Sequence, residues 1–121
     1  MTALKISPML RTWDLGRTKA FYTGVLGFTC RCEAPQWGWM ALELDGLEIM
    51  FSAPNDHEGD AAPAFTGSIY VRTDDVEGLW KRVQGQARVC YPPENLPYGM
   101  REFGIFDDSG YLLQFGQDRH A

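Results

Sequence analysis

Apolar and polar residues alternate near the C-terminal end of the chain, with Phe103 and Ile105 before Asp107-Asp108-Ser109-Gly110 and Leu113 and Phe115 after it. A period of two marks a strand with one buried face. The stretch 98–116 therefore predicts two strands joined by a turn, with Gly110 at the position that needs a positive φ. Glu102, Gly104, Phe106, Leu112 and Gln114 then fall on the other face. A carboxylate, an aromatic ring and an amide together suggest a lined cleft, with a plainly solvated face as the alternative.

The same periodicities organise the rest. Leu4 to Leu10 alternates and predicts a strand, placed at an edge or a module junction because Pro8 has no N–H for a central ladder. Asp14 reads as the N-cap of a helix running to about Leu26, with Gly27 as its stop. Phe28 to Cys32 and Trp37 to Leu44 predict strands, and Asp45-Gly46 turns the latter into a strand over Leu47 to Ser52. Residues 53–63 are rich in Pro, Asp, Gly and Ala, which suits a linker. The pattern then restarts: Ser7 to Leu15 parallels Ser68 to Val76 at an offset of 61, with Ser, Arg, Thr and Asp coinciding. A helix over Val76 to Val83, a short strand over Ala87 to Cys90, a Pro-rich loop over Pro92 to Pro97 and the C-terminal hairpin complete a second unit.

The prediction is an α+β fold: two βαβββ modules, 1–53 and 66–117, joined by a linker over 54–65. They form a cupped mixed β-sheet with both helices on its convex side, in a single domain over 1–121. A duplicated unit this small does not close its core alone. Whether the halves pair within one chain or between two stays open.

Composition and charge narrow the partners. The chain has 121 residues, 45% hydrophobic and 22% charged, with a net charge of −5. An acidic surface argues against nucleic acid, whose phosphates need a basic one. No apolar run reaches the length of a membrane span, and no secretory leader is expected at the N-terminus. Cys30, Cys32 and Cys90 form no disulfide or zinc frame, which predicts reduced thiols in a cytoplasmic protein. Cys30 and Cys32, two apart on a strand, are expected to share a face.

Three stretches carry a resemblance. Asp14-Leu15 through Phe21-Tyr22-Thr23-Gly24-Val25-Leu26-Gly27-Phe28 is similar to D-L-x-R-S-x-x-F-Y-x-x-V-L-G-F, and Asp107-Asp108-Ser109-Gly110-Tyr111 to D-P-D-G-Y/N. With the duplication, these resemble the vicinal oxygen chelate superfamily, which holds glyoxalase I, extradiol dioxygenases, and fosfomycin- and bleomycin-resistance proteins. The resemblance spans nearly the whole chain. It implies the fold, and it points to the positions where metal-dependent members keep their ligands. Here those positions fall on Ser7, Ser68, Gln114 and either Glu48 or Met50. Hydroxyls and an amide are poor substitutes for imidazole and carboxylate on a first-row metal, and the only histidines, His57 and His120, lie in the linker and at the C-terminus. No metal and no cofactor are expected. Pro97-Tyr98-Gly99-Met100-Arg101-Glu102-Phe103 is also similar to the P-W-G-x-R-E-F of the bleomycin-resistance branch. That resemblance implies a metal-free antibiotic-resistance type of ligand binder acting as a homodimer.

Strand parity supplies a separate set of cleft residues: Ser7, Met9, Trp39, Glu48, Met50, Ser68, Tyr70, Glu102, Phe106 and Gln114, with Glu43 toward the rim. Aromatic walls with carboxylates suit a planar cationic guest. The leading expectation is a binding protein for such a small molecule, with no catalytic residue. Two alternatives stand beside it: an enzyme of the same fold (lyase, isomerase or dioxygenase) with a degenerate metal site, and a protein-interaction module using Trp37 and Trp39. Arg101, of opposite parity, is expected to pair with a helix carboxylate, and Trp80 to sit in the core.

Overall fold

A computed structural model of the protein describes residues 1–119, so His120 lies outside the described residues. The chain divides into two compact units, Met1–Pro63 and Ala64–Ala121. The first holds β1 (Met9–Arg11), α1 (Leu15–Gly24), β2 (Thr29–Ala34), β3 (Trp39–Leu44) and β4 (Leu47–Ser52). The second holds β5 (Ile69–Arg72), α2 (Val76–Val83), β6 (Arg88–Asn95), β7 (Met100–Phe106) and β8 (Leu112–Asp118). Each unit builds its own four-stranded mixed sheet, in the orders β1-β4-β3-β2 and β5-β8-β7-β6. The first strand runs parallel to the last, and the remaining pairs are antiparallel.

The local chemistry explains these elements. Asp14 and Asp75 cap their helices by accepting from the backbone N–H of Arg17 and Gly78, each at 3.0 Å. Asp45 and Gly46 take φ values of 51° and 83°, the two positive angles a tight two-residue hairpin needs. In the longer second hairpin, the Asp107 carboxylate accepts from the N–H groups of Ser109 and Tyr111 at 2.8 and 2.9 Å. Each helix covers the face carrying the alternating apolar residues. Tyr22 packs on Phe28 and Phe51, with centroids 5.3 and 4.9 Å away. Trp80 and Phe115 lie 5.3 Å from the Phe103 ring. Burying a large apolar side chain of this kind contributes about 1.5–3 kcal/mol. The faces bearing Met50 and Gln114 are left on the opposite side of their sheets.

The structure corrects several expectations. β1 begins at Met9 rather than Leu4, and Leu4 and Ile6 are fully exposed. Pro8 offers the ladder only its carbonyl, which accepts from Met50 N–H at 2.9 Å. β6 runs on through Pro92 and Pro93, because it is an edge strand and its pairing with β7 shifts register between Tyr91 and Glu94, where neither proline is asked for an N–H. Trp37 lies in a 3-10 turn over Pro35–Trp37, closed by Gly38 at φ 63°, and does not open β3. A bulge between Cys30 and Cys32 sets them opposite Leu42 and Ala41, neighbours that point to opposite faces, so the two thiols do not share one. α1 ends at Gly24 instead of Leu26. Arg101 does pair with Glu77 of α2, and also donates to Asn95 at 3.1 Å. Among the described residues no helix is long and apolar enough to cross a membrane.

Candidate functional site

In the second unit, the sheet face away from α2 is built around one carboxylate. Glu102 sits mid-strand in β7, in register with Gly116 of β8 and Glu94 of β6, and is only 2% exposed. Burial of a carboxylate at that depth is costly unless its oxygens are hydrogen-bonded. Three phenols supply the donors. The hydroxyls of Tyr70 and Tyr98 donate to Oε1, at 3.0 and 2.5 Å, and that of Tyr91 donates to Oε2. The Tyr91 hydroxyl in turn accepts from Gln114 Nε2 at 2.9 Å, and Gln114 Oε1 accepts from Ser68. Ser68, Gln114, Tyr91, Glu102, Tyr70 and Tyr98 thus form one continuous network. Among the described residues no Lys, Arg or His forms an ion pair with Glu102.

Two glycines make room for it. A Cβ at Gly104 would lie 2.6 Å from the Tyr91 ring, and one at Gly116 would lie 2.0 Å from the Tyr70 hydroxyl. The rings rest on bare backbone, so the cage depends on positions without side chains as much as on those with them. The network also moves the phenols' acidity. Hydrogen bonding to the Glu102 carboxylate pushes Tyr98 up to about 12. For Tyr91 and Tyr70 burial is the larger cause and the same carboxylate adds to it, raising both. All three remain protonated donors across the neutral range.

The corresponding face of the first unit is different. Met9 pairs in register with Met50, and Trp39 with Ser52. Glu48 accepts from the Ser7 hydroxyl at 2.7 Å and meets Lys5 Nζ at 3.1 Å, and these contacts hold its carboxyl below the usual range. Glu43 is paired with Arg31. Trp39 is half-buried, and the cavity of about 290 Å³ that it borders lies on the helix side of the sheet, against Leu15, Gly16 and Lys19 of α1 with Glu33, Pro35 and Met40. In the second unit, Phe106 carries the Arg88 guanidinium 4.3 Å above its ring, so that aromatic face already holds a cation of the protein's own.

Of the residues expected in a cleft, Ser68, Tyr70, Glu102 and Gln114 come together directly, Ser7 with Glu48, and Met9 with Met50. Register also decides between Glu48 and Met50. Met9 pairs with Met50 as Tyr70 pairs with Gln114, which makes Met50 the positional counterpart of Gln114. Sequence reasoning missed Tyr91 and Tyr98. Register shifts around Tyr91 break the alternation, and Tyr98 lies in a loop outside any strand. The available signal was the pair of mid-strand glycines, which imply a close neighbour.

The donor set does not fit a first-row metal. Ser68 and Gln114 are committed to one another, Ser7 to Glu48, and Met50 offers only a thioether. Among the described residues, no three His, Cys, Asp or Glu side chains gather as metal ligands would.

Comparison with known proteins places this architecture. The bleomycin-binding protein solved in complex with bleomycin is 25% identical, over 96% of this chain and 99% of that one, with a TM-score of 0.74. TioX from Micromonospora sp. ML1 is 19% identical over 96% and 99% of the two chains (TM-score 0.79). A lactoylglutathione lyase from Agrobacterium tumefaciens is 17% identical over 98% and 96% (TM-score 0.74). The last two likenesses show the fold alone. No curated protein sequence matches the chain. The model of the Glyoxalase/Bleomycin resistance protein/Dioxygenase superfamily matches residues 6–115, and the chain belongs to that superfamily.

Proposed function

We propose that this protein is a metal-free small-molecule binder of the bleomycin-resistance type, which sequesters a planar, cationic aromatic ligand. The observation that carries this reading is the Glu102 cage: a buried carboxylate with three phenol donors and no ion-paired cation among the described residues. Neutral dipoles solvate its charge without cancelling it, so a cationic guest is favoured and an anionic one meets a like charge. Exposed Tyr70 and Tyr98 present aromatic surface beside the carboxylate. Stacking on such a ring adds about 0.5–1.5 kcal/mol beyond area burial, and a desolvated cation over it about 2 kcal/mol. The bleomycin complex of the 25% identical relative supports a binding role in this fold.

The same network weighs against the enzyme alternative. Both Glu102 oxygens already accept hydrogen bonds, and the phenols are less acidic than free tyrosine, so neither is poised as a base. The test is calorimetric titration with aromatic compounds matched in size but cationic, neutral or anionic, on wild type and Glu102→Gln. The cationic compound should bind tightest, and Glu102→Gln should remove its advantage. Equal or tighter binding of the anionic compound, or indifference to Glu102→Gln, would refute this function.

A further inference from the structure

We propose that Glu102 is the anchor for an ammonium group bearing at least one N–H, and that the Tyr98 hydroxyl holds that group's place on Oε1 until the ligand displaces it. This inference rests on the reading above, that the face takes a cationic guest, and adds which atom takes the charge and what chemistry the charge must have.

The three donors on Glu102 are not equivalent. Tyr91 is fixed twice over: its ring lies against Gly104, and its hydroxyl is bound by Gln114, itself held by Ser68. Tyr70 belongs to β5, whose backbone is laddered to β8, and its ring end rests on Gly116. Tyr98 has neither restraint. It lies in the turn between β6 and β7, where Gly99 takes φ 86° and donates to the Leu96 carbonyl at 3.1 Å. The residue is 65% exposed, and its hydroxyl has no partner but Glu102 Oε1 among the described residues. A side-chain rotation at Tyr98 uncovers Oε1 without moving a strand, whereas releasing Tyr70 or Tyr91 disturbs a packed ring.

The carboxylate favours the exchange. An N⁺–H donor to a carboxylate makes a bond about twice as strong as a neutral one. The ammonium brings the countercharge that three phenols lack, and Glu94, the register partner of Glu102 in β6, adds negative potential. Tyr70 keeps its own bond to Oε1 and gives the cation a ring to lie beside. Among the described residues no cation of the protein fills the place: Arg101 is engaged by Glu77 and Asn95, Arg88 lies over Phe106, and Arg72, next but one to Tyr70 on β5, forms no ion pair with Glu102. A quaternary ammonium has no N–H to replace the phenol's, so it cannot make this exchange.

The experiment compares benzylammonium, benzyltrimethylammonium and benzyl alcohol by calorimetry on wild type, Tyr98→Phe and Glu102→Gln. The Tyr98 ring carbon bearing the hydroxyl is followed by carbon NMR in tyrosine-labelled wild-type protein. Benzylammonium should bind the wild type about tenfold tighter than either of the others, the size of one hydrogen bond to a charged group. Tyr98→Phe keeps the ring, removes the competing hydroxyl and should tighten benzylammonium by about tenfold again. Glu102→Gln should erase the preference, and benzylammonium alone should shift the Tyr98 resonance. Tyr98→Phe removes one hydroxyl from a largely exposed loop residue, so it tests the exchange even if Glu102→Gln folds poorly. Unchanged or weaker benzylammonium binding in Tyr98→Phe overturns the exchange, as does equal wild-type affinity for benzyltrimethylammonium. If the cations still bind and respond to Glu102→Gln, the proposed function survives that failure. If no probe binds at all, both fall together.

Discussion

The two sheet faces share a ladder and differ in almost everything placed on it. Met9 pairs with Met50 where Tyr70 pairs with Gln114, and Trp39 pairs with Ser52 where Glu102 pairs with Gly116. The first unit thus sets two thioethers and an indole at positions where the second sets a phenol, an amide and a buried carboxylate. The backbone decides where side chains emerge and leaves their chemistry free, so a duplicated module can hold thioethers and an indole in one copy at the positions that cage a buried carboxylate in the other. The difference reaches the residues with no chemistry of their own. Ala41 and Ser52 are the register counterparts of Gly104 and Gly116, the two bare positions on which Tyr91 and Tyr70 rest in the second unit.

Glycine substitution breaks that comparison most directly. Gly116→Ala puts a methyl 2.0 Å from the Tyr70 hydroxyl and Gly104→Ala puts one 2.6 Å from the Tyr91 ring. Each should cost about 1–3 kcal/mol in denaturant unfolding, as overpacked sites do. At the counterpart site, Ala41→Gly should cost only about 0.5–1 kcal/mol, the entropic penalty of glycine inside a strand. Combining Gly116→Ala with Tyr70→Phe should recover part of the loss, because the hydroxyl is the nearest clashing atom. If Gly116→Ala proves as stable as wild type, the rings do not rest on the strand as described.

Shared features should respond alike. The two N-caps make the same bond at the same 3.0 Å length. Asp14→Ala and Asp75→Ala should therefore each cost about 1 kcal/mol. A large inequality, read from the same unfolding curves, would show that one helix depends on its cap and the other on packing.

This asymmetry also explains what could be read from the sequence. Alternation at Phe103, Ile105, Leu113 and Phe115, the capping aspartates and the offset of 61 all belong to the common frame, where period and turn chemistry act locally. They gave β4 and α2 to the residue. Parity likewise placed Ser68, Tyr70, Glu102 and Gln114 on one face, because ladder geometry carries parity across strands. It failed where the ladder is irregular. The bulge at Cys30–Cys32 and the shifts around Tyr91 change which side a residue faces, and neither leaves a mark in the hydrophobic pattern. Trp37 was drawn into a strand because Pro35 and Gly38 act through φ rather than hydrophobicity. Tyr98 was missed for a third reason: its role arises from a tertiary contact made out of a turn.

The smallest effect, seen only at alkaline pH, concerns the titration of the tyrosines. The chain has five, and exposure alone would predict that Tyr98, the most open of the caged three, ionises first and near the ordinary phenol value. Its bond to Glu102 instead favours the protonated form and pushes Tyr98 up to about 12. A folded-state value raised above the unfolded one stabilises the protonated native protein. The contribution is complete below about pH 10, the unfolded phenol value, and is lost as pH rises through the folded value near 12. Stability should therefore show no dependence on this group from neutral pH to about 10 and fall above it. Phenolate absorbance at alkaline pH, compared between wild type and Tyr98→Phe, isolates the residue. The difference spectrum should appear late, and in a Glu102→Gln background it should move back toward the ordinary phenol range. An early, ordinary titration of Tyr98 in wild-type protein would mean that its hydroxyl is not held by Glu102 in solution. The chemical contrast between the two faces would then shrink to Tyr70, Tyr91 and Gln114.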